Sequence, residues 1–252
     1  NGHPLRRPVG RGRDRRWDSR PQGPGHWPAG GADAGGCRVP HPGDDGGGQS
    51  GPDHLRITRK KEEGMQTETG RIIYYLTDFK SRQDQLKDRP YMIFEDMAVV
   101  FGILDADRYT VHPIDVRQAS YHGWTTDQLW EMAKKNTPRL LPERIEPADK
   151  KIIGHTDDEP VFLLSNDVQR YGSAVICYEN LLYNFACKYH DNLYLLPTSI
   201  HECIILLDQG SLSCENLLDI IEESNKMLKT DEILSDNIYY YDRLQREFFG
   251  LF

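Results

Sequence analysis

The 252 residues carry 31 Lys and Arg against 39 Asp and Glu, a formal net charge of −8 at pH 7. That acid excess excludes a body gripping nucleic acid through clustered cations, and no run nears the ~18–20 apolar residues of a membrane-spanning helix. The five cysteines are odd in number and form no Cys-x-x-Cys pair, which argues against a disulfide framework or structural zinc and for a reducing, cytoplasmic setting.

The chain is two materials. Residues 1–60 hold 14 of the 22 Gly and 8 of the 15 Pro, with 11 Lys and Arg against 6 Asp and Glu. The head is therefore net +5 and the remainder −13. The head has no helical or alternating apolar period, so it cannot bury enough surface to offset its ordering entropy, and disorder is expected. It also lacks the apolar stretch of a secretory signal. The composition changes abruptly between Lys60 and Met65, which marks residues 1–64 as a disordered or misframed segment with Met65 as an internal start. The functional alternative is a nucleic-acid contact through its arginines, with Trp17 and Trp27 interleaved.

The body reads in order. Gly70–Phe79 is a strand or the end of a longer helix, and Lys80–Asp88 is a short exposed connection before Pro90. Met92–Leu104 is a helix or a buried strand by length, and Val99-Val100-Phe101 favours strand at its centre. Asp105–Asp107 is a turn and Tyr109–Ile114 a returning strand. Trp124–Asn136 is a helix, with Thr125 and Gln128 as a capping box and Leu129, Met132 and Ala133 on one face; Pro138 ends it. Residues 142–159 form a surface connection and a possible sub-division point near 142–160.

In the C-terminal half, Val161–Leu164 and Gly172–Tyr178 are strands and Glu179–Tyr189 a helix with Leu181, Leu182, Phe185, Ala186 and Tyr189 on one stripe. Leu193–Leu196 and Ile204–Leu207 are strands around the polar insert Thr198–Glu202. Ser213 caps a helix carrying Leu217, Leu218, Ile221 and Leu228, and Asn237–Arg243 is a final aromatic strand before a tail at 244–252. Short strand-to-strand connections predict an α+β domain over 65–243 with a largely antiparallel sheet and packed helices.

Several separated motifs carry a resemblance. NTPRLLP (Asn136–Pro142), LYLLPTSIHECIILL (Leu193–Leu207) and ILSDNIYYYDR (Ile233–Arg243) resemble an uncharacterised bacterial family, the domain of unknown function numbered 5688. FEDMAVVFGIL and GWTTDQLWEMAKKNTP fit the same pattern, so the resemblance covers about residues 70–243. The C-terminal part is more weakly similar to the uncharacterised family numbered 1444. The first family implies a further folded N-terminal region, which the Gly/Arg-rich head does not match. It implies no activity, cofactor or catalytic residue.

The reactive side chains cluster at Thr198–Glu202. If this stretch is extended, period 2 puts Ser199, His201 and Cys203 on one face. A hydroxyl beside an imidazole is the minimum for nucleophilic catalysis, so a hydrolase-like site at Ser199, His201 and Glu202 is one reading. There is no Gly-x-Ser-x-Gly elbow, and Ile205 stands where a His-Glu-x-x-His zinc site needs its second His. The other reading has these residues satisfying backbone groups at a strand end after Pro197.

His155, Asp157, Asp158 and Glu159 match no spaced calcium loop, and no metal is assigned. Asn136, Arg139 and Asp236 are ligand-binding candidates, and Tyr239–Tyr241 offers stacking surface. Without a phosphate-cradling loop or dinucleotide fingerprint, no cofactor is expected. The leading expectation is a soluble, cytoplasmic, bacterial, non-enzymatic protein that binds a protein or small molecule.

Overall fold

The computed structural model describes residues 68–148, 160–210 and 213–252. The expectations for residues 1–64 and for His155, Asp157, Asp158 and Glu159 lie outside that range.

The first sheet forms from β1 (Ile72–Asp78), β2 (Tyr91–Phe94), β3 (Met97–Leu104) and β4 (Val111–Pro113). β3 is its spine: β1 lies antiparallel along one edge, and β2 and β4 share the other. A one-turn helix α1 (Gln83–Leu86) falls in the expected exposed connection. The apolar run Met92–Leu104 is thus a hairpin, broken at Glu95-Asp96, where Glu95 takes φ 55°. The left-handed residue reverses the chain, and the surrounding apolar residues belong to two paired strands.

Helices α2 (Val116–His122) and α3 (Thr126–Leu140) follow. Thr125 caps α3 with the expected reciprocal bonds to and from Gln128. Pro138 sits inside α3 and does not end it. Only two residues follow it, so the missing N–H removes one bond from the last turn alone.

The second sheet has six strands, all antiparallel, in the order β10-β9-β7-β8-β6-β5. They are β5 (Glu143–Pro147), β6 (Val161–Asn166), β7 (Leu193–Leu196), β8 (Cys203–Leu207), β9 (Tyr239–Asp242) and β10 (Glu247–Gly250). β5 arises where only surface connection was expected; its sequence, ERIEP, has a single apolar residue because it is an edge strand. β10 lies in the expected tail, where Phe248 and Phe249 pair across from Tyr241 and Tyr240.

Period 2 sorts this sheet's two faces. Leu193, Leu195, Cys203, Ile205, Leu207, Phe162, Leu164, Tyr239 and Tyr241 enter the main core. Leu196, Ile204, Leu206 and Val161 face α5 (Cys214–Met227), which supplies Leu217 and Ile221 four residues apart. The main core also holds Ile72, Tyr74, Leu76, Met97, Val99 and Phe101 of the first sheet, Leu129, Trp130 and Ala133 of α3, and Leu182, Phe185 and Ala186 of α4 (Leu181–Tyr189). Both sheets therefore share one interior, and truncating a fully buried residue such as Ile205 to Ala costs ~2–5 kcal/mol.

Gly172–Cys177 is a 3-10 helix, not the expected strand. Gly172 through Ile176 are all buried, so the apparent alternation reports no exposed face. Tyr171 enters with φ 55°, and a Cβ on Gly172 would collide with Ser165 Oγ and the carbonyl oxygen of His201. That packing needs a tight turn with glycine at its start.

Candidate functional site

Asn136 and Arg139 come together, and their partners are backbone. Asn136 Nδ2 donates to the carbonyls of Thr69 (2.8 Å) and Ile72 (3.0 Å), and Arg139 Nη2 donates to that of Gly70 (2.8 Å). Between them Thr137 Oγ1 accepts from the Tyr74 N–H (3.0 Å) and donates to the Ala133 carbonyl (2.7 Å). The Asn-Thr-Pro-Arg motif thus closes the free edge of β1 with side chains from α3, a substitute for another strand.

Asp236 belongs to a different network. Asn225 of α5 donates through Nδ2 to Asp236 Oδ1 (2.8 Å) and to the Ser235 carbonyl (3.1 Å). Ser235 Oγ donates to Asp96 Oδ2 (2.8 Å) and accepts from the Asn237 N–H (2.9 Å), while the Tyr239 hydroxyl donates to Asp96 Oδ1. The β2–β3 turn and the Leu-Ser-Asp-Asn segment are two of the motifs behind the family resemblance, and they meet at this carboxylate. Phe248 stacks between Phe94 and Tyr239 beside it, at 5.0 and 5.1 Å. Burial and the Asp96 charge hold the Tyr239 phenol well above its ordinary pKa.

Thr198–Glu202 is a bend closing the β7–β8 hairpin, not an extended face. Ser199 Oγ accepts from the N–H groups of His201 (3.0 Å) and Glu202 (3.2 Å). His201 Nδ1 accepts from the Tyr171 N–H (3.1 Å), which leaves the proton of the neutral ring on Nε2. Ser165 Oγ donates to the His201 carbonyl (2.8 Å) and Ser173 Oγ to that of Ser199 (2.6 Å). Among the described residues no hydrogen bond joins Ser199 Oγ to the His201 ring.

Burial, with Arg170 next in weight, lowers the His201 pKa against the opposing pull of Glu232 and Asp231; burial raises that of Glu202. The hairpin end and the 3-10 helix are thereby pinned together. No described cluster of three or more His, Cys, Asp or Glu is arranged to hold a metal ion.

A concave feature lies elsewhere among the described residues. A cleft of about 620 Å³ opens between α3, β5, the 3-10 helix and α4. Its apolar part comes from Pro138, Ile145, Cys177, Leu181 and Phe185 with the rings of Tyr74 and Tyr178. Its rim carries Lys134, Lys135 and Lys188 against Glu131, Glu143 and Glu179, of which Lys134 and Glu179 lie 3.6 Å apart.

The two tyrosines differ. Tyr178 donates its hydroxyl to the Leu141 carbonyl (2.6 Å). Tyr74 is 1 % exposed and lines the cleft, yet among the described residues its hydroxyl has no hydrogen-bond partner. Burial raises both phenols, and that of Tyr74 is raised further by Cys177 and Tyr178, so Tyr74 stays protonated at neutral pH.

Sequence reasoning missed this cleft because its walls come from five elements, β1 among them through Tyr74. The one local signal is the spacing of Glu131, Lys134, Lys135 and Pro138 on a single face of α3.

A family of unknown function, DUF5688, matches residues 55–243, about three quarters of the chain. No curated protein and no solved structure matches it.

Proposed function

The chain belongs to the DUF5688 family of unknown function, and we propose that it is a non-enzymatic binding protein whose small-molecule ligand occupies the α3–β5–α4 cleft. The observation that carries this reading is the cleft itself. Its volume of about 620 Å³ falls within the ~300–1,000 Å³ of small-molecule sites, and it pairs an apolar interior with a polar rim.

The motif residues support it indirectly. Asn136, Thr137, Arg139, Ser199 and His201 are engaged with backbone groups, so their described contacts are structural. A hydrolase-like site would need Ser199 hydrogen-bonded to its base at ~2.6–3.2 Å. The free Cys177, Cys187, Cys203 and Cys214 suit a bacterial cytoplasm, where thiols stay reduced. Among the described residues no helix is long and apolar enough to cross a membrane.

The test is a thermal-shift screen of a small-molecule library on the full chain and on Ile145→Trp, which fills the cleft from β5. Ligands that raise Tm in the wild type and lose that effect in the variant support the reading. Hits stabilising both proteins equally, or consumed by the wild type but not by His201→Ala, overturn it. A urea midpoint for Ile145→Trp close to wild type establishes that the variant is folded.

A further inference from the structure

Resting on the cleft reading, we propose that the cleft takes an amphipathic organic monoanion: a neutral hydrogen-bonding end at the Tyr74 hydroxyl, an apolar body, and an ionised group held at the rim by Lys135 and Lys188. Three independent features lead there.

The first is the Tyr74 hydroxyl. Tyr74 is 1 % exposed, its ring packs 5.1 Å from Trp130 and 6.3 Å from Tyr178, and its side chain lines the cleft. No hydrogen bond of that hydroxyl is found among the described residues, which leaves it available to a ligand in the cleft. A protonated phenol donates one hydrogen bond and accepts others, so it suits a carbonyl, amide or hydroxyl.

The second is the low-polarity floor. The desolvation that holds the Tyr74 and Cys177 protons in place also opposes a carboxylate beside them. A charged group on the ligand is therefore directed outward. The third is the rim itself. Lys134 is already beside Glu179, whereas Lys135 on α3 and Lys188 on α4 have no carboxylate partner among the described residues. They stand on the two helices that bound the cleft. Lys188 instead lies over the Tyr189 ring at 5.2 Å, an attraction that an anion can supplement.

A rigid aromatic series separates these elements: 6-hydroxy-2-naphthoate carries both ends, 2-naphthoate lacks the neutral hydroxyl, and 2-naphthol lacks the carboxylate. Binding to the full chain is read from naphthalene fluorescence at low salt. The wild type should prefer 6-hydroxy-2-naphthoate over 2-naphthoate by about fivefold or more, the scale of one net hydrogen bond. Tyr74→Phe should erase that preference while leaving 2-naphthoate unchanged. Lys135→Glu with Lys188→Glu should weaken both acids about threefold or more and leave 2-naphthol unchanged, with the difference fading as salt rises.

Because the Tyr74 hydroxyl bonds nothing among the described residues, Tyr74→Phe should also keep the wild-type urea midpoint, and a marked drop would contradict its assignment. Preferences that persist through both substitutions, or no binding by any of the three compounds, overturn the proposed ligand class. The cleft reading falls separately, on the Ile145→Trp comparison.

Discussion

Thr137→Val isolates the edge closure of β1. Valine keeps the shape of a residue that is 1 % exposed and removes only the hydroxyl. The Ala133 carbonyl lies inside α3 and retains its helical partner, so the loss falls on the Tyr74 N–H, now buried without an acceptor. Such an orphaned donor costs ~1–3 kcal/mol. With a urea m-value of ~1–3 kcal/mol/M, a loss of ~2 kcal/mol lowers the unfolding midpoint by roughly 1 M. Thr137→Ser keeps the hydroxyl and loses one methyl, ~1 kcal/mol, and is the control. Urea denaturation followed by tryptophan fluorescence reads both. A Thr137→Val midpoint within ~0.2 M of wild type, or a Thr137→Ser loss equal to it, would refute the view that this hydroxyl closes the sheet edge.

Three further outcomes follow from the same contacts. Gly172→Ala places a Cβ against Ser165 Oγ, the Asn166 nitrogen and the His201 carbonyl, and should cost at least the ~1–3 kcal/mol of an overpacked core, read by urea midpoint. Asp96→Asn supplies an amide where Tyr239 and Ser235 need two acceptors; it should cost ~1–3 kcal/mol and, in a cycle with Tyr239→Phe, couple by at least ~0.5 kcal/mol, whereas additivity would contradict the network.

The lowered pKa of His201 means that the unfolded chain takes up its proton first, so stability should fall as pH drops below about 6.5 and level off beneath the lowered folded value. Glu202, raised by burial, acts with the opposite sign just above its ordinary range, so the midpoints are compared in a Glu202→Gln background. His201→Asn offers an amide oxygen in place of Nδ1 and should flatten the slope; an unchanged slope would remove His201 as its source.

The continuous apolar runs were legible in the sequence: Leu193–Leu196 and Ile204–Leu207 read as strands and pair antiparallel with both faces buried, and the Thr125 capping box starts α3 as its residues dictate. A short apparent alternation is a weaker guide where every residue is buried. Gly172–Ile176 looked alternating and is a 3-10 helix, because its shape is set by the His201 carbonyl and Ser165, distant in sequence. β5 was invisible for the reverse reason: an edge strand exposing most of its residues carries no apolar period.

The motif positions were legible, but their role was not. Asn136 and Arg139 read as ligand-binding candidates, and only the position of β1 reveals that their donors are directed at backbone carbonyls. The cleft depends on the meeting of Tyr74, α3, β5 and α4, a tertiary fact with no local counterpart.

The most direct test of the binding account is methyl NMR of the full chain, labelled at Ile and Leu and titrated with 6-hydroxy-2-naphthoate. The account predicts saturable shifts largest at Ile145 and Leu181, the labelled methyls that line the cleft, with little change at Ile200 beside His201. Shifts centred on Ile200, or on the exposed Leu244 with Ile145 and Leu181 unmoved, would contradict it.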